Sequence, residues 1–206
     1  MTADYLTLKG PGEAEFTEKR SRFIGYAMPV STEEEAIAFI NSIREKHRDA
    51  RHNVYAYIVN NNGIVNQRYS DDGEPQGTGG MPVMDVLLKQ GLTNACIVVT
   101  RYFGGILLGA AGLVRAYSKG ASIAVEAAGI FKVVKCRAVA VRIPYSIYDR
   151  VSFFVTGKGY ETMESDFGAD VGVTYRVPVA EAEGFAAELT DLTGGRADCN
   201  ILPDII

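Results

Sequence analysis

The chain has 206 residues, 47% hydrophobic and 22% charged, a composition that suits one large or two small globular domains. Its formal net charge of −4 is uneven: residues 137–206 hold six Lys/Arg against eleven Asp/Glu, and residues 1–136 hold fifteen against fourteen. That balance lacks the basic footprint of nonspecific nucleic-acid binding, no apolar run reaches the roughly 18 residues of a membrane helix, and three scattered cysteines without a CxxC pair exclude a zinc ribbon or thioredoxin-like motif.

The opening "MTADYLTLKGPGEAEF" lacks a basic segment followed by an apolar core. The expectation is therefore a cytoplasmic protein with reduced thiols and no secretory signal. Residues 14–28, "AEFTEKRSRFIGYAM", contain short polar–apolar stretches that suit strands, with Lys19, Arg20 and Arg22 between them. In "STEEEAIAFINSIREKHRDA", Ser31 or Thr32 can cap a helix, with Glu34 or Glu35 three residues on. Ile37, Ile40 and Ile43 are expected to form its buried stripe, and His47 to sit solvated on its polar edge. Two alternating runs then flank Asn62–Gly63, a strong hairpin signal.

Pro82 suits the first turn of a helix through Leu88 that Gly91 ends. The apolar run "ACIVVTRYF" predicts a central strand covered on both faces, with Arg101 at its C-terminal end, where parallel sheets present their ligands. A helix is predicted from Leu107 toward Ala128, with Gly109, Gly112, Ala116 and Gly120 on one face for close packing. After Gly129 the order is β-α-β-β-α-β, with a turn at Gly168 and a helix closed by Gly194–Gly195: the ferredoxin-like arrangement.

The chemistry-bearing residues gather at "SDDGEPQGTGGMPV" and "VVTRYFGGILLGAAGL". Neither glycine run fits a Walker loop or a dinucleotide fingerprint: "GTGGMP" lacks the Lys-Ser/Thr pair, and the spacing of Gly104, Gly105, Gly109 and Gly112 is wrong. A helix N-terminus can still hold an anion without a motif. Asp71, Asp72 and Glu74, with His52 in reach across the hairpin, supply hard oxygen ligands of the kind divalent ions accept. The same acids also make an ordinary turn and can pair with Arg101 or Arg115. No GxSxG elbow is present, and neither histidine stands beside a nucleophile in a recognisable frame. No catalytic set is established; the candidates are His52, Asp71 and Asp72, and no metal or cofactor is expected.

In order and spacing, "RHNVYAYIV", "SDDGEPQGTGGMPV" and "VVTRYFGGILLGAAGLVRAYSKGA" resemble the YigZ/IMPACT family, and "EKRSRFIGYA" resembles its Lys/Arg-Ser-Arg/Lys-Phe entry segment. The chain departs from the usual pattern at Gly79, Leu107 and Ala111. The resemblance implies an α+β protein. Residues 1–132 would form the IMPACT domain, with a ribosomal-protein-like fold, and residues 137–206 a ferredoxin-like domain similar to the last domain of elongation factor G. It also implies a translation-linked regulatory role, with a partner in the translation machinery or ribosome, RNA as the alternative, and no membrane. The expected binding surface is composite: Arg22, Asp71, Asp72, Glu74, Arg101, Tyr102, Gly104, Gly105 and Arg115, backed by helix 107–120. RNA binding would draw on Arg20, Arg22, Arg101, Arg115 and Lys119. The competing reading is an enzyme for a small anionic or phosphorylated substrate, with His52 as acid/base, Asp71 and Asp72 as bases or metal ligands, and Arg101 as clamp.

Overall fold

The computed structural model describes residues 4–61 and 63–205. The chain divides into two compact units, Met1–Val133 and Val134–Ile206. The first runs β1 (Tyr5–Leu8), β2 (Gly12–Glu18), β3 (Ser21–Pro29), α1 (Glu33–Lys46), β4 (His52–Asn61), β5 (Ile64–Ser70), α2 (Gly80–Lys89), β6 (Ala95–Tyr102), α3 (Ala110–Ala128) and β7 (Ile130–Val133).

Five of these strands form a sheet in the order β2-β3-β6-β4-β5, and every pairing is antiparallel. The apolar run does form the middle strand: Ala95 through Arg101 are all buried. Its residues alternate between two cores. Ile97 and Val99 pack with Val83 and Leu87 of α2 and Tyr117 and Ala121 of α3, while Cys96 and Val98 pack with Ile40 and Ile43 of α1. Because the sheet is antiparallel, the expectation that Arg101 sits at a ligand-presenting carboxyl edge loses its basis.

Helix α1 starts at the expected cap: the Glu35 amide donates to Thr32 Oγ1 (3.2 Å), and the Glu35 carboxylate accepts from the Ser31 amide (2.6 Å). Its buried stripe is Ala36, Ile40 and Ile43, and Ile37 is 45% exposed. A strict three-residue spacing slips around a helix of 3.6 residues per turn, so Ile37 rotates out of the stripe that Ala36 enters. The β4–β5 hairpin pairs Asn61 with Ile64, and Gly63 has φ 96°. Asn62, the other residue of the expected hairpin signal, lies outside the described residues. β1 and β7 pair with each other, Tyr5 with Val133 through Leu8 with Ile130.

Helix α3 begins at Ala110, not Leu107, because Gly109 takes φ 72° and ends the irregular segment before it. The expected close packing is realised at Gly120. A Cβ there would meet Val99 Cγ1 at 2.8 Å, and one on Gly25 of β3 would meet the Gly120 carbonyl oxygen at 2.1 Å.

The second unit runs β8 (Cys136–Ile143), α4 (Tyr145–Lys158), β9 (Glu161–Phe167), β10 (Val171–Pro178), α5 (Ala182–Thr193) and β11 (Asp198–Ile205). Its antiparallel sheet has the order β11-β8-β10-β9, which is the ferredoxin-like topology. Val139, Val141, Val173 and Val177 form its core with Val151 of α4 and Phe185 and Leu189 of α5. Gly159 and Gly194 end the two helices in left-handed conformations, where a side chain would be strained.

Candidate functional site

The hairpin β4–β5 delivers Ser70 to the mouth of the acidic loop, and the chain reverses there with left-handed Asp72 (φ 46°) and Gly73 (φ 86°). Asp71 is drawn to the start of α2. Its Oδ2 accepts from the Gly77 amide (2.8 Å), and its Oδ1 accepts from the Gly79 (2.9 Å) and Gly80 (2.8 Å) amides. Helix α2 has glycine at its N-cap, so no local side chain can do this. Burial opposes ionisation of Asp71, but the Gly77, Gly80 and Gly79 amides outweigh it and hold the carboxyl below its usual range. The anion that the α2 N-terminus calls for is the protein's own.

Asp72 is occupied as well. One carboxylate oxygen pairs with Arg44 Nη2 (2.6 Å), the other accepts from the Asn53 amide (2.7 Å), and its main-chain carbonyl accepts from His52 Nδ1 (2.9 Å). A carbonyl only accepts, so Nδ1 carries the proton and Nε2 is left 4.0 Å from Glu74 Oε1.

Glu74 is buried, and its Oε1 accepts from Arg101 Nη1 (2.6 Å) and from the Tyr117 hydroxyl (2.7 Å). Burial first, and then the Glu74 charge, raise the Tyr117 pKa far above the usual phenol value, so it stays a donor. The Arg101 guanidinium carbon lies 5.6 Å from the Phe23 ring centre and 5.4 Å from that of Phe103, and its Nε is buried with no hydrogen-bond partner. Loop, central strand and α3 are thus stitched by one desolvated pair. Among the described residues, no group of three or more His, Cys, Asp or Glu is placed to hold a metal ion.

The remaining expected residues separate from this cluster. Arg22 Nε donates to Glu15 (3.0 Å) on the neighbouring strand. Tyr102 donates to Asp49 (3.1 Å) and accepts from His47 Nδ1 (2.9 Å), while His47 Nε2 accepts from the Tyr26 hydroxyl (2.6 Å). His47 is therefore buried, not solvated: it occupies the C-cap of α1, where the helix ends against Tyr26 and Tyr102 of the sheet. Burial, with the Lys46 charge beside it, holds its pKa below the ordinary value.

Gly104 packs so tightly on the β2–β3 turn that a Cβ would lie 2.0 Å from the Arg20 carbonyl carbon, and its amide donates to Ser21 Oγ (3.2 Å). Beyond it the chain turns outward. Gly105 (φ 84°) faces open space, and Phe103, Ile106 and Leu107 are 50%, 40% and 81% exposed. Arg115 is exposed on α3 beside a cavity of about 210 Å³ that Lys19 and Lys119 also line. The expected composite surface thus splits into an inward half around Glu74 and an outward half around residues 103–109. Neither Leu107 nor Tyr117 is among the residues of the expected binding surface. The signal for Leu107 was "GGILLG", an apolar run too short for an element and closed by glycines on both sides.

The Impact N-terminal domain model matches residues 19–125, and a domain of unknown function (DUF1949) matches residues 141–196. The chain is 37% identical to the IMPACT family member YvyE of Bacillus subtilis, over 96% of this chain and 91% of that one. It is 33% identical to the IMPACT family member YigZ of Escherichia coli, over 86% and 87%. A Dictyostelium discoideum protein IMPACT homolog is 41% identical over 45% of this chain and 27% of its own length. Among solved structures, one described as the crystal structure of an hypothetical protein superposes with a TM-score of 0.62 at 29% identity, covering 98% of this chain and 99% of that one.

Proposed function

The chain belongs to the IMPACT family, and from that premise we propose that it is a regulatory binding protein linked to translation, which engages a protein of the translation machinery through the outward loop 103–109. The observation that carries this reading is Leu107. It is 81% exposed in a loop that also presents Phe103 and Ile106; the base of that loop packs on the Arg20 backbone at Gly104, and Leu108 shares a cavity with Lys19 and Arg115. A rigid sheet and helix hold this loop in place, as binding loops generally are held. An apolar loop with cations near its base suits a protein surface with a hydrophobic socket and an acidic rim.

The enzyme reading draws less support, since His52, Asp71, Asp72 and Arg101 are each engaged by the chain itself. None of the helices described is long and apolar enough to cross a membrane. The test is affinity capture from native cytosol with the wild-type chain and a Leu107→Asp variant, before and after ribonuclease treatment. A translation component held by the wild type after ribonuclease, and lost with Leu107→Asp, is the expected result. If no translation component distinguishes the two baits, the reading is overturned; capture that ribonuclease abolishes moves it to RNA.

A further inference from the structure

The cavity beside that loop is built from two elements. Glu18 and Lys19 come from the end of β2 and its turn, with Phe16 on the floor; Gly112, Arg115, Ala116 and Lys119 come from α3, and Leu108 from the segment before it. Three features of these residues mark the cavity out.

The first is the turn. Lys19 (φ 45°) and Arg20 (φ 65°) both adopt the left-handed conformation of a two-residue hairpin turn, where Asn-Gly is the unstrained choice. Left-handed backbone is strained for an ordinary side chain, and strain of this kind gathers at functional sites. Here it fixes an ammonium-bearing residue at the rim.

The second is Gly112. Gly120 is needed because a Cβ would strike Val99 of the sheet, but a Cβ on Gly112 would meet only Leu108, itself a lining residue, at 2.9 Å. Glycine inside a helix costs stability against alanine. At Gly112 that cost leaves open space in the cavity without bringing the helix closer to the sheet.

The third is charge. Arg22, Arg44, Lys46 and Arg101 are all paired with acids of the chain, whereas Lys19, Arg115 and Lys119 make no salt bridge among the described residues. With Glu18 included, the lining carries a net charge of two positive. Lys119 Nζ is held 4.4 Å from the Phe16 ring centre, and Phe16 stacks on Phe23 at 5.2 Å, so the floor is apolar and supported from behind.

We propose that this cavity is a binding site for a single phosphate monoester on a short apolar or aromatic stem, with Arg115, Lys119 and Lys19 on the phosphate and Phe16, Leu108 and Ala116 against the stem. A monoester carries about −1.5 to −2 at pH 7, which matches the lining, and a planar guanidinium grips such a group with two parallel bonds. The volume of about 210 Å³ falls short of the roughly 300–1,000 Å³ of sites for larger ligands, so one group and its stem fill it. An RNA strand needs a track of phosphate contacts, and Arg22, next along the strand, is already paired with Glu15. The inference deepens the reading above, because Leu108 joins the cavity to the docking loop, and it rests on that reading only for the choice of this face. The monoester can belong to a free metabolite or to a phosphorylated side chain of the partner.

The experiment is calorimetric titration of the full chain with phenyl phosphate, inorganic phosphate, dimethyl phosphate, a phosphotyrosine peptide and a short single-stranded RNA. Saturable one-to-one binding of phenyl phosphate is expected, weaker for inorganic phosphate and at least about tenfold weaker for the monoanionic diester, the value of one charge-assisted hydrogen bond. Affinity should fall below about pH 6 as the phosphate gains its second proton. Arg115→Gln and Lys119→Gln should each weaken binding about tenfold at unchanged melting temperature, since both side chains are exposed. A phosphotyrosine peptide that binds more tightly than phenyl phosphate assigns the site to a modified partner, and equal affinity assigns it to a metabolite. The proposal is overturned if phenyl phosphate shows no saturable binding, if the two variants bind it as the wild type does, or if RNA binds with a steep salt dependence that phenyl phosphate does not compete. Leu107→Asp should leave phenyl phosphate binding intact, so loss of partner capture and loss of this site are read separately.

Discussion

Loops 71–79 and 103–109 both lead into helices with a glycine N-cap and no acid in the first turn, yet they turn their chemistry in opposite directions. The first satisfies its helix from outside, with the Asp71 carboxylate on three amides, and buries Glu74 against Arg101 and Tyr117. The second holds its base through Gly104, packed on the Arg20 backbone and hydrogen-bonded to Ser21, and leaves Phe103, Ile106 and Leu107 largely in solvent. Motif richness is therefore a poor guide to which loop faces outward. In a low-dielectric interior acids and arginines find one another, and the polar-rich loop becomes scaffold; the apolar loop, with nothing inside to cover it, stays in solvent.

The largest effect that tests this division is at Glu74. Glu74→Ala strips the buried Arg101 guanidinium of its counter-charge and leaves the Tyr117 hydroxyl without an acceptor. Breaking a buried pair from one side costs about 3–5 kcal/mol, read as a lowered urea midpoint of the full chain. A loss below about 1 kcal/mol would mean that the inward loop is not scaffold.

Next comes the anchor of the outward loop. In Gly104→Ala the new Cβ would lie 2.0 Å from backbone of the β2–β3 turn, which has no flexible end to yield. Overpacking of this kind costs about 1–3 kcal/mol, and it should disturb the Lys19–Arg20 turn as well. Reduced phenyl phosphate affinity alongside reduced stability is the expected signature; an unaltered melting temperature would show that the loop base is free to move.

Asp71→Asn should cost less, about 1 kcal/mol, as the loss of a helix cap does. It also carries a pH signature. The Asp71 pKa is lower in the fold than the ordinary 3.8, so its contribution is fully present above that value and disappears as pH falls through the folded pKa. Chemical unfolding measured from about pH 5 downward should show the wild type losing its advantage over Asp71→Asn in that window. Parallel acid limbs for the two chains would remove Asp71 from the scaffold.

Much of the fold was legible because its signals are local. The Thr32–Glu35 cap, the apolar run of β6 and the glycines ending α4 and α5 each act within a few residues. The β1–β7 pair was not legible: four-residue strands more than a hundred residues apart carry almost no periodic signal. His47 was misplaced for a similar reason, since helix phase alone does not reveal that α1 ends between two tyrosine hydroxyls. At the candidate site, the motifs marked two loops but not their directions. Asp-Asp-Gly-Glu-Pro reads the same whether it faces solvent or core, and only the distant Arg101 and Tyr117 decide the matter for Glu74.

The smallest expected effect on stability is at Leu107, and there the two loops should contrast most sharply. Its side chain is 81% exposed in loop 103–109, so Leu107→Asp removes almost no buried area. Such surface changes usually stay within about 0.5 kcal/mol, and the urea midpoint should match the wild type. Binding should respond in the opposite way. A carboxylate placed where a partner offers an apolar socket must be desolvated without a counter-charge, and at the centre of an interface that costs several kcal/mol. A companion variant, Leu107→Ala, separates burial from charge, since it removes contact area without introducing an ion. Graded loss of capture from wild type through Leu107→Ala to Leu107→Asp, with three superimposable unfolding curves, is what an outward docking loop predicts. If Leu107→Asp instead unfolds the chain in step with Glu74→Ala, the outward loop is scaffold too, and the contrast drawn between the two loops fails.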